Sequence, residues 1–169
     1  MLKDKVAIIT GASRGIGRVT ALAFARAGAK VVLAARTPSD LETVVNDIRT
    51  NGGEALAIPT DVTQANQVAN LIHQTLKIYR QIDILVNNAG IGYFGMVIDF
   101  EEADWDSVIG SNLKSVYLCS KCVLKPMLER QSGQIINVLS IAAKVPFKAS
   151  SAYCAAKAGA LALTKVLSE

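Results

Sequence analysis

Short runs of consecutive apolar residues alternate along the chain with longer segments whose apolar positions recur every three or four residues. Val6-Ala7-Ile8-Ile9 has the pattern of a strand buried on both faces. Helical spacing follows over 15–27, through Ile16, Thr20, Ala23, Phe24 and Ala27, with Gly28 placed to stop it. Residues 31–35 predict a second strand, and Leu41, Val44, Val45 and Ile48 mark a second helix ending at Asn51-Gly52-Gly53. A third strand over 55–58 precedes a third helix carrying Val68, Leu71, Ile72 and Leu76. Ile84-Leu85-Val86 predicts a fourth strand, opening into Asn87-Asn88-Ala89-Gly90. A long helical stretch over about 102–129 puts Trp105, Val108, Ile109, Leu113 and Val116 on its inner face. Residues 135–139 read as a fifth strand, and an Ala- and Leu-rich helix runs from about 151 to the last residues. This alternation predicts an α/β, Rossmann-type, doubly wound parallel sheet with three αβα layers. No repeat or linker interrupts it, so 1–169 is read as one domain.

Composition narrows the class. With 169 residues, 51% hydrophobic and 19% charged, the chain is able to bury a core and lacks the bias of disordered or fibrous proteins. No uninterrupted apolar stretch is long enough to span a membrane. The apolar run after Met1-Leu2-Lys3-Asp4-Lys5 is too short for a secretory core segment, so a soluble, cytoplasmic protein is expected. The net charge of +4 leaves an anionic partner open, but no basic stripe with interleaved aromatics points to nucleic acid. Cys119 and Cys122 form a C-x-x-C inside the long helix, without a second pair, and His73, the sole histidine, is distant. Reduced helix cysteines are expected rather than a metal or redox site.

The first strand runs into Thr10-Gly11-Ala12-Ser13-Arg14-Gly15-Ile16-Gly17 as a helix begins. Gly11 suits a tight turn, Gly15 the approach of backbone to a pyrophosphate, and Gly17 close helix–strand packing. The helix N-terminus offers N–H groups and a positive dipole end to phosphates. For three glycines taken alone, a plain glycine-rich turn is the alternative. Where an acidic residue would select NAD, the second strand ends Ala34-Ala35-Arg36. Arg36, with Arg14 from the turn, is placed to meet a ribose 2′-phosphate, favouring NADP(H) over NAD(H); two solvated arginines are the competing reading.

Tyr153 and Lys157 share one face of the last helix. A free tyrosine titrates near ~10, and an ammonium beside it favours the phenolate. The pair suits a general acid/base that protonates a carbonyl oxygen as hydride reaches its carbon. By spacing alone it is also an ordinary amphipathic surface pair. Ser140 stands just past the fifth strand, where its hydroxyl is able to hydrogen-bond the same carbonyl. Other nucleophilic schemes lack support: His73 is no credible triad base, and no G-x-S-x-G elbow is present.

The spacing T-G-x-x-x-G-x-G, Asp61-Val62 after the third strand, Asn87-Asn88-Ala89-Gly90 after the fourth, and Ser140, Tyr153 and Lys157 resemble the short-chain dehydrogenases/reductases. The resemblance spans essentially the whole chain and looks closest to the 3-oxoacyl-(acyl-carrier-protein) reductase-like branch. It implies an NADPH-dependent oxidoreductase moving hydride between nicotinamide and a carbonyl or secondary alcohol, 3-oxoacyl thioesters among the candidates. Gly11, Ser13, Arg14, Gly15, Ile16, Gly17, Arg36, Asp61, Val62, Asn88, Ala89 and Gly90 are then cofactor-binding residues, joined by Tyr153 and Lys157. Asp61-Val62 meet the adenine, while Asn88 and its neighbours line the cleft and brace the central strand. Asn112 matches the fourth member of the family's Asn-Ser-Tyr-Lys tetrad, whose main-chain carbonyl holds a proton-relaying water; by residue type it is equally a packing or exposed position.

The same resemblance implies a homodimer or homotetramer and a small carbonyl or alcohol substrate, free or acyl-carrier-protein-bound. Family members continue through further strands, a Pro-Gly turn and a substrate lid. The chain is therefore expected to lack the last strands of the family fold and the residues that choose a substrate. Strand 135–139 becomes an apolar edge, and the polypeptide alone is expected to be poorly stable and weakly active. Two competing functions remain: a nucleotide-binding protein without catalysis, and an epimerase or dehydratase of the same fold, which the glycine spacing argues against.

Overall fold

The computed structural model describes residues 2–168; Met1 and Glu169, the ends of the expected domain, lie outside the described residues. In chain order the elements are β1 (Val6–Thr10), α1 (Gly15–Arg26), β2 (Lys30–Ala35), α2 (Pro38–Thr50), β3 (Glu54–Pro59), α3 (Ala65–Tyr79) and β4 (Ile84–Asn87). They continue with α4 (Glu102–Ile109), α5 (Ser115–Glu129), β5 (Gln134–Asn137) and α6 (Ser151–Val166). The five strands form one parallel sheet in the order β3-β2-β1-β4-β5. The chain winds outward from β1 to β3, then returns to β4 on the other side of β1. That reversal opens a crevice at the carboxyl ends of β1 and β4, where open parallel sheets bind ligands.

Alternation along β1 explains why its sequence is apolar throughout. Val6 and Ile8 enter a core with Val68, Leu71 and Val123 from α3 and α5. Ala7 and Ile9 enter the opposite core with Ala21, Leu41, Val44 and Ile48 from α1 and α2. Each strand residue thus meets a helix layer on whichever side it points. At the amino end, buried Asp83 receives the Val6 amide at 2.8 Å and pairs with Arg130 at 3.1 Å and Lys5 at 3.7 Å. This cluster pins β1, β4 and the end of α5 at the pole opposite the crevice.

The structure departs from the sequence expectations in four places. β5 is Gln134–Asn137, shorter than 135–139, although the Val138 amide still bonds Asn87 O at 2.9 Å. Trp105 is 39% exposed rather than inward-facing. The long helical stretch is interrupted by a π-helical turn, Gly110–Lys114. The last helix ends at Val166, with Leu167 as its cap. Among the described residues β5 and β3 are the two edges of the sheet, and Ile136 on β5 is exposed. No described helix is long and apolar enough to cross a membrane.

Candidate active site

The crevice is built on Thr10. Thr10 is 1% exposed, and its Oγ1 accepts hydrogen bonds from the Asn88 and Ala89 amides, each at 3.0 Å, and donates to Val86 O at 3.2 Å. Asn88 returns the contact: its Nδ2 donates to Thr10 O at 2.9 Å and Gly11 O at 3.3 Å. The ends of β1 and β4 are thereby laced together, with Asn88 bracing the central strand. Gly17 makes this possible, because a Cβ there would collide with the Gly11 carbonyl and Asn88 Nδ2. No side chain caps α1, whose N-cap is Arg14.

A cleft of about 950 Å³ extends from this floor. Gly11, Ser13, Arg14, Ile16, Arg36, Asp61, Val62, Asn88, Ala89 and Gly90 all line it, while Gly15 and Gly17 support it from within the turn. A dinucleotide-sized groove, an uncapped helix end at its base and the Gly17 packing that a side chain would destroy fit a dinucleotide cofactor. Arg14 and Arg36 are exposed, and neither belongs to an ion pair among the described residues; Arg18 instead pairs with Asp47 at 2.7 Å. Asp40 also lines the cleft, but from the first turn of α2 and not from the end of β2. Asp61 is held by its own turn: Oδ1 accepts from Thr63 N at 2.9 Å and Thr63 Oγ1 at 2.7 Å.

Asn112, Ser140, Tyr153 and Lys157 are not among the residues that line the cleft; Asn112 and Lys157 meet at Gly90, which does line it. Asn112 sits in the π-helical turn, 1% exposed, and its Nδ2 donates to Ile91 O at 2.7 Å and Val108 O at 2.9 Å. Its Oδ1 is buried against Gly90 with no partner among the described residues. A Cβ on Gly90 would strike that oxygen and lie 3.8 Å from Lys157 Nζ. Gly90 is therefore the joint at which cleft, Asn112 and Lys157 meet. Lys157 Nζ donates to Val138 O at 3.0 Å and lies 5.7 Å from the Tyr153 ring centre. Burial pulls the Lys157 ammonium below its usual pKa. Ser140 Oγ accepts from Ala142 N at 3.2 Å, which leaves its own proton free to donate outward.

The cysteine pair plays no part here. Cys119 is packed in the α3–α5 core, and burial pushes its thiol up to about 12; burial raises Cys122 as well. A thiol so far from ionising packs as a small apolar residue.

Sequence reasoning did not assign Thr10 a role, nor a polar relay behind the site. Asn87 Nδ2 donates to Ser120 Oγ at 3.2 Å and Asn137 Oδ1 at 2.8 Å. Asn137 Nδ2 donates in turn to Thr164 Oγ1 at 2.9 Å, so α5, β4, β5 and α6 are joined by side chains alone. The available signal was a polar residue closing three of the five strands: Thr10 on β1, Asn87 on β4 and Asn137 on β5.

Comparison with known proteins identifies the family and the fold. The family model described as short chain dehydrogenase matches residues 5–169. A 3-oxoacyl-(acyl-carrier-protein) reductase of Synechocystis sp. is 44% identical over 169 residues, covering 99% of this chain and 68% of the relative. The Staphylococcus epidermidis reductase of the same name is 39% identical over 163 residues, covering 96% and 67%. A crystal structure of a metagenomic short-chain oxidoreductase in complex with NADP superposes with a TM-score of 0.95 at 38% identity. That match covers 98% of this chain and 76% of the other. The chain thus spans about two thirds of the length of the curated relatives.

Proposed function

Since the chain belongs to the short-chain dehydrogenase family, we propose that it carries the cofactor cleft and proton-transfer residues of an NADPH-dependent carbonyl reductase. The observation that carries this reading is the convergence at Gly90. There the cleft floor, the Asn112 side chain and Lys157 Nζ meet within a few ångströms, with Tyr153 on the adjoining turn of α6. Gly11, Ser13, Gly15 and the start of α1 hold the pyrophosphate, Asp61 and Val62 flank the adenine, and Arg14 and Arg36 take the 2′-phosphate. When bound, the reduced nicotinamide supplies hydride to the carbonyl carbon. Tyr153 donates its phenolic proton to the carbonyl oxygen, converting ketone to alcohol, and Ser140 hydrogen-bonds that oxygen with its free hydroxyl proton. Lys157, fixed by Val138 O, keeps positive charge beside the phenol as its proton leaves. Asn112 holds the loop 88–91 against the π-helical turn and so positions Gly90 and Lys157. The names of the relatives make a 3-oxoacyl thioester the first substrate class to try.

Tyr153→Phe tests the assignment. It removes the proton and leaves the ring, so turnover of NADPH with a ketone should fall by about a hundredfold or more, with KM for NADPH changing far less. Cofactor binding with no turnover by the unaltered chain favours instead a nucleotide-binding protein without catalysis.

A further inference from the structure

The loops that follow β4 and β5 are tied to each other beside Tyr153. Gly95 N donates to Ala149 O at 2.8 Å, and Gly95 forms a parallel bridge with Ser150. Ala149 takes a positive φ of 62°, and buried Ser150 turns its hydroxyl back to Phe147 O. This lacing brings three aromatic rings together. Phe94 lies 5.8 Å from the Tyr153 ring centre and 6.3 Å from that of Phe147. Gly92 provides the space, since a Cβ there would come within 2.9 Å of Phe94 Cε2. The ring is thus folded over the loop and against Tyr153 rather than left free.

Both rings nonetheless stay open to solvent, Phe94 at 57% and Phe147 at 49%. Met96 and Val145, on the same two loops, are also exposed. A contiguous exposed apolar surface beside a reactive group marks a place where a ligand comes to rest. We propose that Phe94 and Phe147 form an aromatic wall that receives the hydrocarbon substituent of the substrate carbonyl. The inference rests on the role given to Tyr153 above. Its hydroxyl marks where the carbonyl oxygen sits, so the substituent begins two bonds beyond that hydrogen bond, close to the ring that Phe94 packs against. Hydrocarbon is the chemistry that surface accepts: burial of each methylene there improves binding, whereas a polar substituent loses hydration with no partner in the rings. On this proposal the loops after β4 and β5 take part in choosing the substrate.

The test is a ladder of methyl ketones, from acetone to 2-nonanone, titrated calorimetrically into the 169-residue chain with oxidised NADP present so that nothing reacts. Affinity should rise by up to about fourfold per added methylene until the wall is covered. Phe94→Ala should flatten that dependence, with the loss growing with chain length, and Phe147→Ala, on the other loop, should lower the slope as well. Phe94→Leu, which keeps an apolar side chain, should retain most of it. Affinity independent of chain length, no binding at all, or a loss in Phe94→Ala equal for every ketone overturns the proposal. NADPH oxidation on the same ladder is read separately: length-dependent binding without turnover sinks the reductase reading and leaves the wall standing.

Discussion

Thr10 offers a test in which two physical effects predict opposite orders. Its side chain is 1% exposed, so by apolar transfer alone Thr10→Val should be the better-tolerated change and Thr10→Ser the worse one. Serine forfeits one methyl, about 0.8 kcal/mol. Valine fills the same space but removes Oγ1, the acceptor shared by the Asn88 and Ala89 amides at 3.0 Å each. An unpaired buried N–H costs roughly 1–3 kcal/mol. Both residues sit at the cleft wall and are only partly buried, so the low end applies and two orphaned amides cost about 2 kcal/mol in all. Valine should therefore destabilise more than serine, by about 1 kcal/mol. It should also weaken NADPH binding, because the same amides set the loop that lines the cleft. Urea unfolding of the three proteins measures the order, and fluorescence titration with NADPH measures the coupling. If valine is as stable as the parent chain, or more stable than serine, Thr10 is a packing residue and the lacing argument is wrong.

Arg36→Glu should raise KM for NADPH by roughly ten- to a hundredfold, the loss of a charge-assisted contact, while NADH is affected much less; equal changes for both cofactors would remove the 2′-phosphate assignment. At the opposite pole, Asp83→Asn should cost about 2 kcal/mol at pH 7, a partly buried ion pair discounted for the exposure of its Arg130 partner. Burial pushes the Asp83 carboxyl up, but the Val6 amide, Arg130 and Lys5 outweigh it and hold the group below its ordinary value. Its contribution is therefore fully present above the unfolded value near ~3.9 and is lost as pH falls through the lower folded one. Urea midpoints of parent and variant should converge as the medium is acidified below about pH 4; a gap that persists there contradicts the depressed carboxyl.

What could be read from the sequence and what could not divide along the distance each feature spans. The strands, the glycine turn and the Tyr153–Lys157 pair are written within a few consecutive residues, as continuous apolar runs and fixed spacings, and each lies close to its expected place. β5 is shorter than read: the Val138 amide keeps its bond to Asn87 O, but its carbonyl goes to Lys157 Nζ, a contact between residues 19 apart that no local pattern encodes. Trp105 failed for a related reason: helical spacing groups residues on one face, but the width of the buried part of that face depends on what α6 places opposite it. The polar relay Ser120–Asn87–Asn137–Thr164 and the Thr10 bonds to Asn88 join elements 27 to 78 residues apart.

Asn112 shows the same division inside one residue. Its type and mid-helix place left packing and exposure open, and the family resemblance added a proton-relay role. Its burial, its hold on Ile91 O and the contact of its oxygen with Gly90 remove exposure from that set. They also show why a helix tolerates a residue of modest propensity there: the i−4 bond from Nδ2 to Val108 O sits where the helix widens into its π-helical turn. The local distortion and the long-range brace are thus one feature. The side chain that bonds Val108 O within the π-helical turn is the one that reaches across to the loop after β4, and that loop carries Gly90 to the point where Lys157 and the cleft come together.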